Sequence, residues 1–236
     1  MKANLLKSSC AILLVLLAVT SCKKSSDDTS GTKYQAPTMA ANSQVVQVPS
    51  KLSSSADIHA QMAATYMSMA NAFAGYSAYF NVPSNAVQSM TKSSGVVYTW
   101  TYGGITVKLT YSDDVTNRHW TWYINDVKYM DCTESLLGTG GSFNVYDYEH
   151  GGAAVLVYVW SKSASSVDVT MKLIGTTSYF FKISSSLDGK SGTFDMYEGT
   201  SVAGLHFVNV TWAANGSGTW WISYGGTSYS GTWTAS

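Results

Sequence analysis

Charge is scarce in this chain of 236 residues. Acidic and basic side chains make up 12% and cancel to a formal net charge of zero. A neutral chain lacks the cationic surface that phosphate backbones require, which excludes nucleic acid as a partner. Proline is also scarce, with 3 residues, so few breaks are forced on β-ladders. The four histidines (His59, His119, His150 and His206) include no pair with another His or Cys at metal-ligand spacing, and no metal or other cofactor is expected. Gly138-Thr139-Gly140-Gly141 is not followed by Lys-Ser/Thr, so it is a turn and not a phosphate loop. Asp113-Asp114 and the Asp147/Glu149 pair read as turn acids. No nucleophile with a base can be assembled, and no catalytic residue is assigned.

What the chain has in quantity is tyrosine (16), tryptophan (8) and small hydroxyl residues, a composition that suits strands. One pattern occurs twice. Gly141-Ser142-Phe143-Asn144-Val145-Tyr146-Asp147 precedes a glycine turn and the apolar run 153–160, which ends in Trp160. Gly192-Thr193-Phe194-Asp195-Met196-Tyr197-Glu198 precedes a turn and the run 205–212, which ends in Trp212. Each copy reads as a β-hairpin. Two copies are too few for a propeller or solenoid, so they are expected to lie in one sheet.

From Val96 onward, alternating runs are separated by turn signals: Gly103-Gly104, Asn125-Asp126, Asp188-Gly189, Asn215-Gly216 and Gly225-Gly226. Val107, Leu109 and Tyr111 alternate with polar neighbours, as do Trp120, Trp122 and Ile124. This predicts ten to twelve short strands. No connection is long enough for a crossover helix, so pairing is antiparallel. The fold class is mainly β (α+β): one long curved antiparallel meander, half-barrel or barrel-like, with a single N-terminal helix on its concave face.

That helix is expected over residues 56–75, capped by Ser55 or Asp57 and stopped by Gly75. Ile58, Met62, Tyr66, Met69 and Phe73 recur at helical spacing as its apolar stripe. The inner-face set is Ile58, Met62, Tyr66, Phe73, Val107, Leu109, Trp122, Leu156, Tyr158, Trp160, Val208, Val210 and Trp212. Candidate ligand-contacting residues within it are Met62, Tyr66, Trp122, Tyr158, Trp160 and Trp212.

The N-terminus carries an address. Lys2 and Lys7 precede a short apolar run, 11–18, in the manner of a secretory signal over residues 1–21. Val19-Thr20-Ser21-Cys22 resembles the lipobox of bacterial lipoproteins, which implies lipid attachment at Cys22 after cleavage. It departs from the commonest pattern, which has Leu first and Ala or Gly before the cysteine. Cys10 leaves with the signal, and Cys132 is then the only cysteine left to pack as a small hydrophobe. Residues 22–54 read as the lipidated cysteine and a polar tether, and 55–236 as one domain. The polar Lys23-Lys24-Ser25-Ser26-Asp27-Asp28 run that follows resembles Bacteroidetes-type lipoproteins. The resemblance implies a fatty-acyl (palmitate) anchor in the bacterial cell envelope at the outer membrane, with surface exposure as one arrangement. It carries no functional residues for the domain. The expected role is a non-enzymatic binding module for a hydrophobic or lipid ligand. Two alternatives are a glycan- or protein-binding surface of exposed aromatics, and a hydrolase.

Overall fold

Alternation of apolar and polar residues, broken by two- to seven-residue turns, produces thirteen strands in the computed structural model, which describes residues 34–35, 48–90, 95–149 and 152–235. They are β1 (Val87–Met90), β2 (Val96–Tyr102), β3 (Ile105–Asp113), β4 (Asn117–Ile124) and β5 (Val127–Ser135). Then come β6 (Gly140–Tyr146), β7 (Ala154–Lys162), β8 (Ser166–Leu173) and β9 (Tyr179–Ser186). The last four are β10 (Gly192–Glu198), β11 (Leu205–Trp212), β12 (Gly218–Tyr224) and β13 (Thr227–Trp233). Their order in the sheet is their order in the chain, and every pairing described is antiparallel. The meander is not closed: β1 and β13 are its two ends. The strand beyond the expected twelve is β1, whose sequence Val-Gln-Ser-Met shows no alternation that periodicity could find.

One face of the sheet holds the core. Leu109, Trp122, Met130, Val145 and Leu156 lie opposite one another along β3 to β7, and all are buried. Ile183, Phe194, Val210 and Trp220 continue the face across β9 to β12. The signal sequence, Cys22, His150 and most of the expected tether lie outside the described residues. Within that tether, Tyr34 packs its ring edge-on against Tyr98 and Tyr111, and Trp120 Nε1 donates to Gln35 O at 3.0 Å. A short helix, α1 (Ser50–Ser53), buries Leu52. The packed chain therefore begins before the expected boundary at residue 55.

The long helix is α2 (Ile58–Ala74). Asp57 caps it, accepting from the His59 backbone N–H at 2.8 Å. At Gly75 the chain tightens into a 3₁₀ turn, Gly75–Phe80. The helix packs against β11, β12 and β13, but not through the expected stripe. Its buried side chains are Ala60, Ala63, Ala64, Met67 and Ala70. Ile58 is 65% exposed, and Met62, Tyr66 and Met69 are half-buried flanks. The side chain of Phe73 lies outside the described part. Small residues win the contact face because they let the helix axis approach the sheet closely. Its start stacks on β13 (His59 on Tyr229, 3.6 Å), its middle meets β11 (Tyr66 to Phe207, 5.8 Å), and the 3₁₀ turn reaches β6 and β4 (Tyr76 to Phe143, 6.1 Å; Tyr79 to Trp122, 5.7 Å). Residues 58–80 thus cross the inner face from one end of the sheet toward the other.

The glycine that opens each repeat has a packing cause. Gly141 faces Trp160 and Gly192 faces Trp212 across the ladder. A Cβ at Gly192 would lie 2.4 Å from Ser184 O and 2.6 Å from the Trp212 ring. The indole therefore lies over its partner glycine. Gly218 and Trp233 form a third copy that the sequence reading did not separate out.

Candidate functional site

The six candidate residues have different fates. Tyr158, Trp160 and Trp212 are buried within the core, and Trp212 Nε1 donates to Gly189 O at 3.0 Å. Met62 and Tyr66 flank the helix contact, with Tyr66 against Phe207. Trp122 differs. It is 4% exposed, yet three half-buried aromatics surround it: Tyr79 at 5.7 Å, Trp100 at 6.5 Å and Tyr129 at 5.6 Å between ring centroids. The structure brings these four rings together from the 3₁₀ turn, β2, β4 and β5.

A β-bulge brings Tyr129 to this face. Trp122 pairs with Met130, but the next residue, Tyr123, pairs with Lys128, so Tyr129 is an extra residue in β5. Bulges turn a side chain off its alternating direction, and Tyr129 packs on the core beside Met130 instead of opposite to it. Strict alternation points Tyr129 outward, which is why sequence reasoning missed it. Burial, with the neighbouring Tyr76 and Tyr79, pushes its hydroxyl up to about 12, so it stays protonated.

Indole N–H groups on this face are partnered at Trp120 and Trp212, and at the half-buried Trp233, whose Nε1 donates to Gly216 O at 2.8 Å. The buried Nε1 atoms of Trp122 and Trp160 have no hydrogen-bond partner. A buried unmatched donor costs about 1–3 kcal/mol. In Trp160 that donor is enclosed by core. In Trp122 it belongs to the ring that the half-buried Tyr79, Trp100 and Tyr129 surround.

The opposite face carries polar clusters. On β5 and β6, Asp131 accepts from Asn144 Nδ2 (2.8 Å) and the Tyr146 hydroxyl (2.7 Å) and pairs with Lys128. On β10 and β11, Asp195 accepts from Asn209 Nδ2 (2.8 Å) and meets His206 Nε2 at 3.1 Å, with the imidazole stacked on Tyr197 at 4.5 Å and near Trp221 at 5.3 Å. His119 lies between Asp114 (Nε2 to Oδ2, 2.9 Å) and the Thr133 hydroxyl (Nδ1 to Oγ1, 3.2 Å). That string has the order of a nucleophile, a base and an orienting acid, but it stands on an open strand face. Asp114 is chiefly a turn acid: hydrogen bonding from His119, then from the Thr116 and Asn117 backbone N–H groups, holds its carboxyl well below the usual range. Cys132 is buried, and burial raises its thiol far above the range in which a thiolate forms. Among the described residues, no three His, Cys, Asp or Glu side chains gather as a metal site. No protein-family model and no curated protein matches the chain.

Proposed function

We propose that this chain is a lipid-anchored, non-enzymatic binding module of the bacterial envelope. Its ligand is a hydrophobic molecule that presents an oxygen acceptor to Trp122. The anchor rests on the lipobox-like Val19-Thr20-Ser21-Cys22 after its apolar run. The ligand reading rests on one observation: a buried indole N–H without a partner, inside four aromatic rings of which three are half-exposed. Aromatic walls with one fixed polar group are the usual lining of small-molecule sites. An unmatched donor favours a ligand with a carbonyl, ester or hydroxyl oxygen over a purely aliphatic one.

Native mass spectrometry of the protein purified from its own host tests this. A lipid-sized adduct is expected on the native chain. Trp122→Phe keeps the aromatic wall and removes the donor. Its affinity for the eluted ligand should fall about tenfold, the value of one net hydrogen bond, with the thermal midpoint and near-UV dichroism preserved. Equal affinity in the variant rejects the site. The Tyr197–His206–Trp221 cluster beside Asp195 and Asn209 supports a second reading, in which a glycan is bound on the outer face. The Tyr197 and His206 rings already stack on each other, which leaves less open aromatic face for a sugar and makes this the second reading.

A further inference from the structure

An open sheet has edges, and an edge strand offers its unpaired backbone groups to another strand. Here the edges are β1 and β13. The Gly225-Gly226 turn, with positive φ at both residues, closes on a hydrogen-bonded Tyr224–Thr227 pair. Bonded pairs alternate along an antiparallel ladder, so Thr227, Tyr229, Gly231 and Trp233 turn their backbone groups to β12. Ser228, Ser230 and Thr232 turn theirs outward, and their side chains are exposed. Among the described residues, none hydrogen-bonds to those outward groups; Lys51 Nζ donates to Thr234 O at 3.0 Å, beyond the strand. The same alternation, carried from the Gly103-Gly104 turn through β2, leaves only Gln88 and Met90 facing outward on the four-residue β1. Lys92 follows β1 in the sequence. Edges are ordinarily blunted by shortness, charge, proline or a bulge. The strand β13 has seven residues, no proline and no register shift against β12, and residues 199–236 contain no Asp, Glu, Lys or Arg.

We infer that β13 pairs antiparallel with β13 of a second copy of this chain, about a two-fold axis at Ser230. Charge and register choose a second copy over a different partner. On a two-fold axis each side chain meets its own copy, so a charge near the axis faces a like charge. An edge built for a different partner can use charge to select it; an edge built for itself must do without, as β11, β12 and β13 do. Register makes the strand its own complement. Ser230 meets Ser230, and Ser228 meets the second copy's Thr232 on both sides of the axis, so the outward residues form three bonded pairs. Hydroxyl pairs of this kind are favourable neighbours across a ladder. On the inner face Tyr229 then lies opposite the second copy's Gly231. Aromatic opposite glycine is the pairing this sheet already uses at Trp160 and Gly141, Trp212 and Gly192, Trp233 and Gly218, and Trp220 and Gly231. Tyr229 is held ready for it, stacked on His59 at 3.6 Å.

Native mass spectrometry of the purified protein at high micromolar concentration should show twice the chain mass. Ser230→Lys sets two ammonium groups against each other at the axis, and the dimer should be lost. The side chain at 230 is exposed, so far-UV dichroism should not change. Cysteine variants read the register under mild oxidation, with the unaltered chain and its own cysteines as the control. Ser230→Cys should crosslink to its own copy, because bonded partners lie about 5.5 Å apart at Cα, within disulfide range. Ser228→Cys and Thr232→Cys should each fail alone, since each lies about 14 Å along the strand from its own copy, and should crosslink when mixed. A monomeric native chain overturns the inference, whether the edge stays bare or another segment of the chain covers it. So does a dimer that survives Ser230→Lys, or a crosslink of Ser228→Cys alone. A ladder of higher masses also overturns it, because β13 then meets β1 of the next copy in an open-ended array. Trp122→Phe should dimerise as the native chain does, so loss of ligand and loss of the dimer are read separately.

Discussion

At the scale of single residues, the glycine–tryptophan pairs leave no room for a Cβ on the glycine. Alanine is ordinarily the better strand residue, so Gly192→Ala would stabilise an open ladder position. Here its methyl group meets the Ser184 carbonyl and the Trp212 ring, and the carbonyl belongs to the ladder and cannot swing away. Overpacking of this kind costs about 1–3 kcal/mol. Gly75→Ala, with ordinary backbone and nothing within 4 Å, should be neutral or slightly stabilising. Urea unfolding of both variants checks the contrast; equal stabilities would reject the packing role. Asp131 gives a pH signature. Burial alone would raise its carboxyl, but hydrogen bonds from Lys128, Tyr146 and Asn144 outweigh burial and lower it. A carboxyl lowered in the folded state contributes stability that is present above its unfolded value of about 3.9 and is lost as pH falls through the folded value. Asp131→Asn should cost about 1–2 kcal/mol at neutral pH, the worth of charge-assisted bonds at a partly open site. Its deficit against the native chain should shrink as pH falls below the unfolded value of about 3.9 and vanish below the lowered folded value. A deficit that stays constant with pH would mean that shape and not charge holds the cluster.

At the scale of elements, the strands were legible and the helix face was not. Val107, Leu109 and Tyr111 alternate and are buried as they alternate, because a half-buried strand offers two faces and hydrophobicity alone sorts them. The Asn125-Asp126 turn was equally plain, and both residues adopt positive φ, the conformation a two-residue hairpin demands. Asn215-Gly216 is a turn too, but of a longer kind: Gly216 N–H bonds back to Ala213 O, and only Gly216 has positive φ. The helix misled for a physical reason. A hydrophobic stripe is read from the largest apolar residues, Ile58, Met62, Tyr66 and Met69, whereas closeness of approach favours Ala60, Ala63, Ala64 and Ala70. The same limit hid the aromatic cluster. Trp122 was among the candidates, but Tyr129 reaches it through a bulge and Tyr79 from a 3₁₀ turn, and neither feature leaves a periodic signal.

At the scale of the whole molecule, thirteen strands is more than a strongly twisted open sheet usually holds without splitting or curling. The inner face is held by the chain of residues 58–80 laid across it, with Tyr34 and Leu52 adding to the fill. Two classes of contact follow. Every ladder joins strands that are neighbours in sequence, so hairpins close short loops at low entropic cost. The contact of α2 with β11, β12 and β13 closes a loop of well over a hundred residues. Folding should therefore begin in the meander, with the helix docking after the rate-limiting step. Ala63→Gly weakens the docked helix by about 1 kcal/mol without touching a ladder, and should act almost wholly on the unfolding rate, with a φ-value below about 0.3. Phe194→Leu lies between β9 and β11 in the second repeat hairpin and should slow folding, with a φ-value above about 0.5. Stopped-flow chevrons of the two variants decide the order. A high value at Ala63 with a low one at Phe194 would mean that the helix is the template on which the sheet is assembled, and that the meander does not close ahead of it.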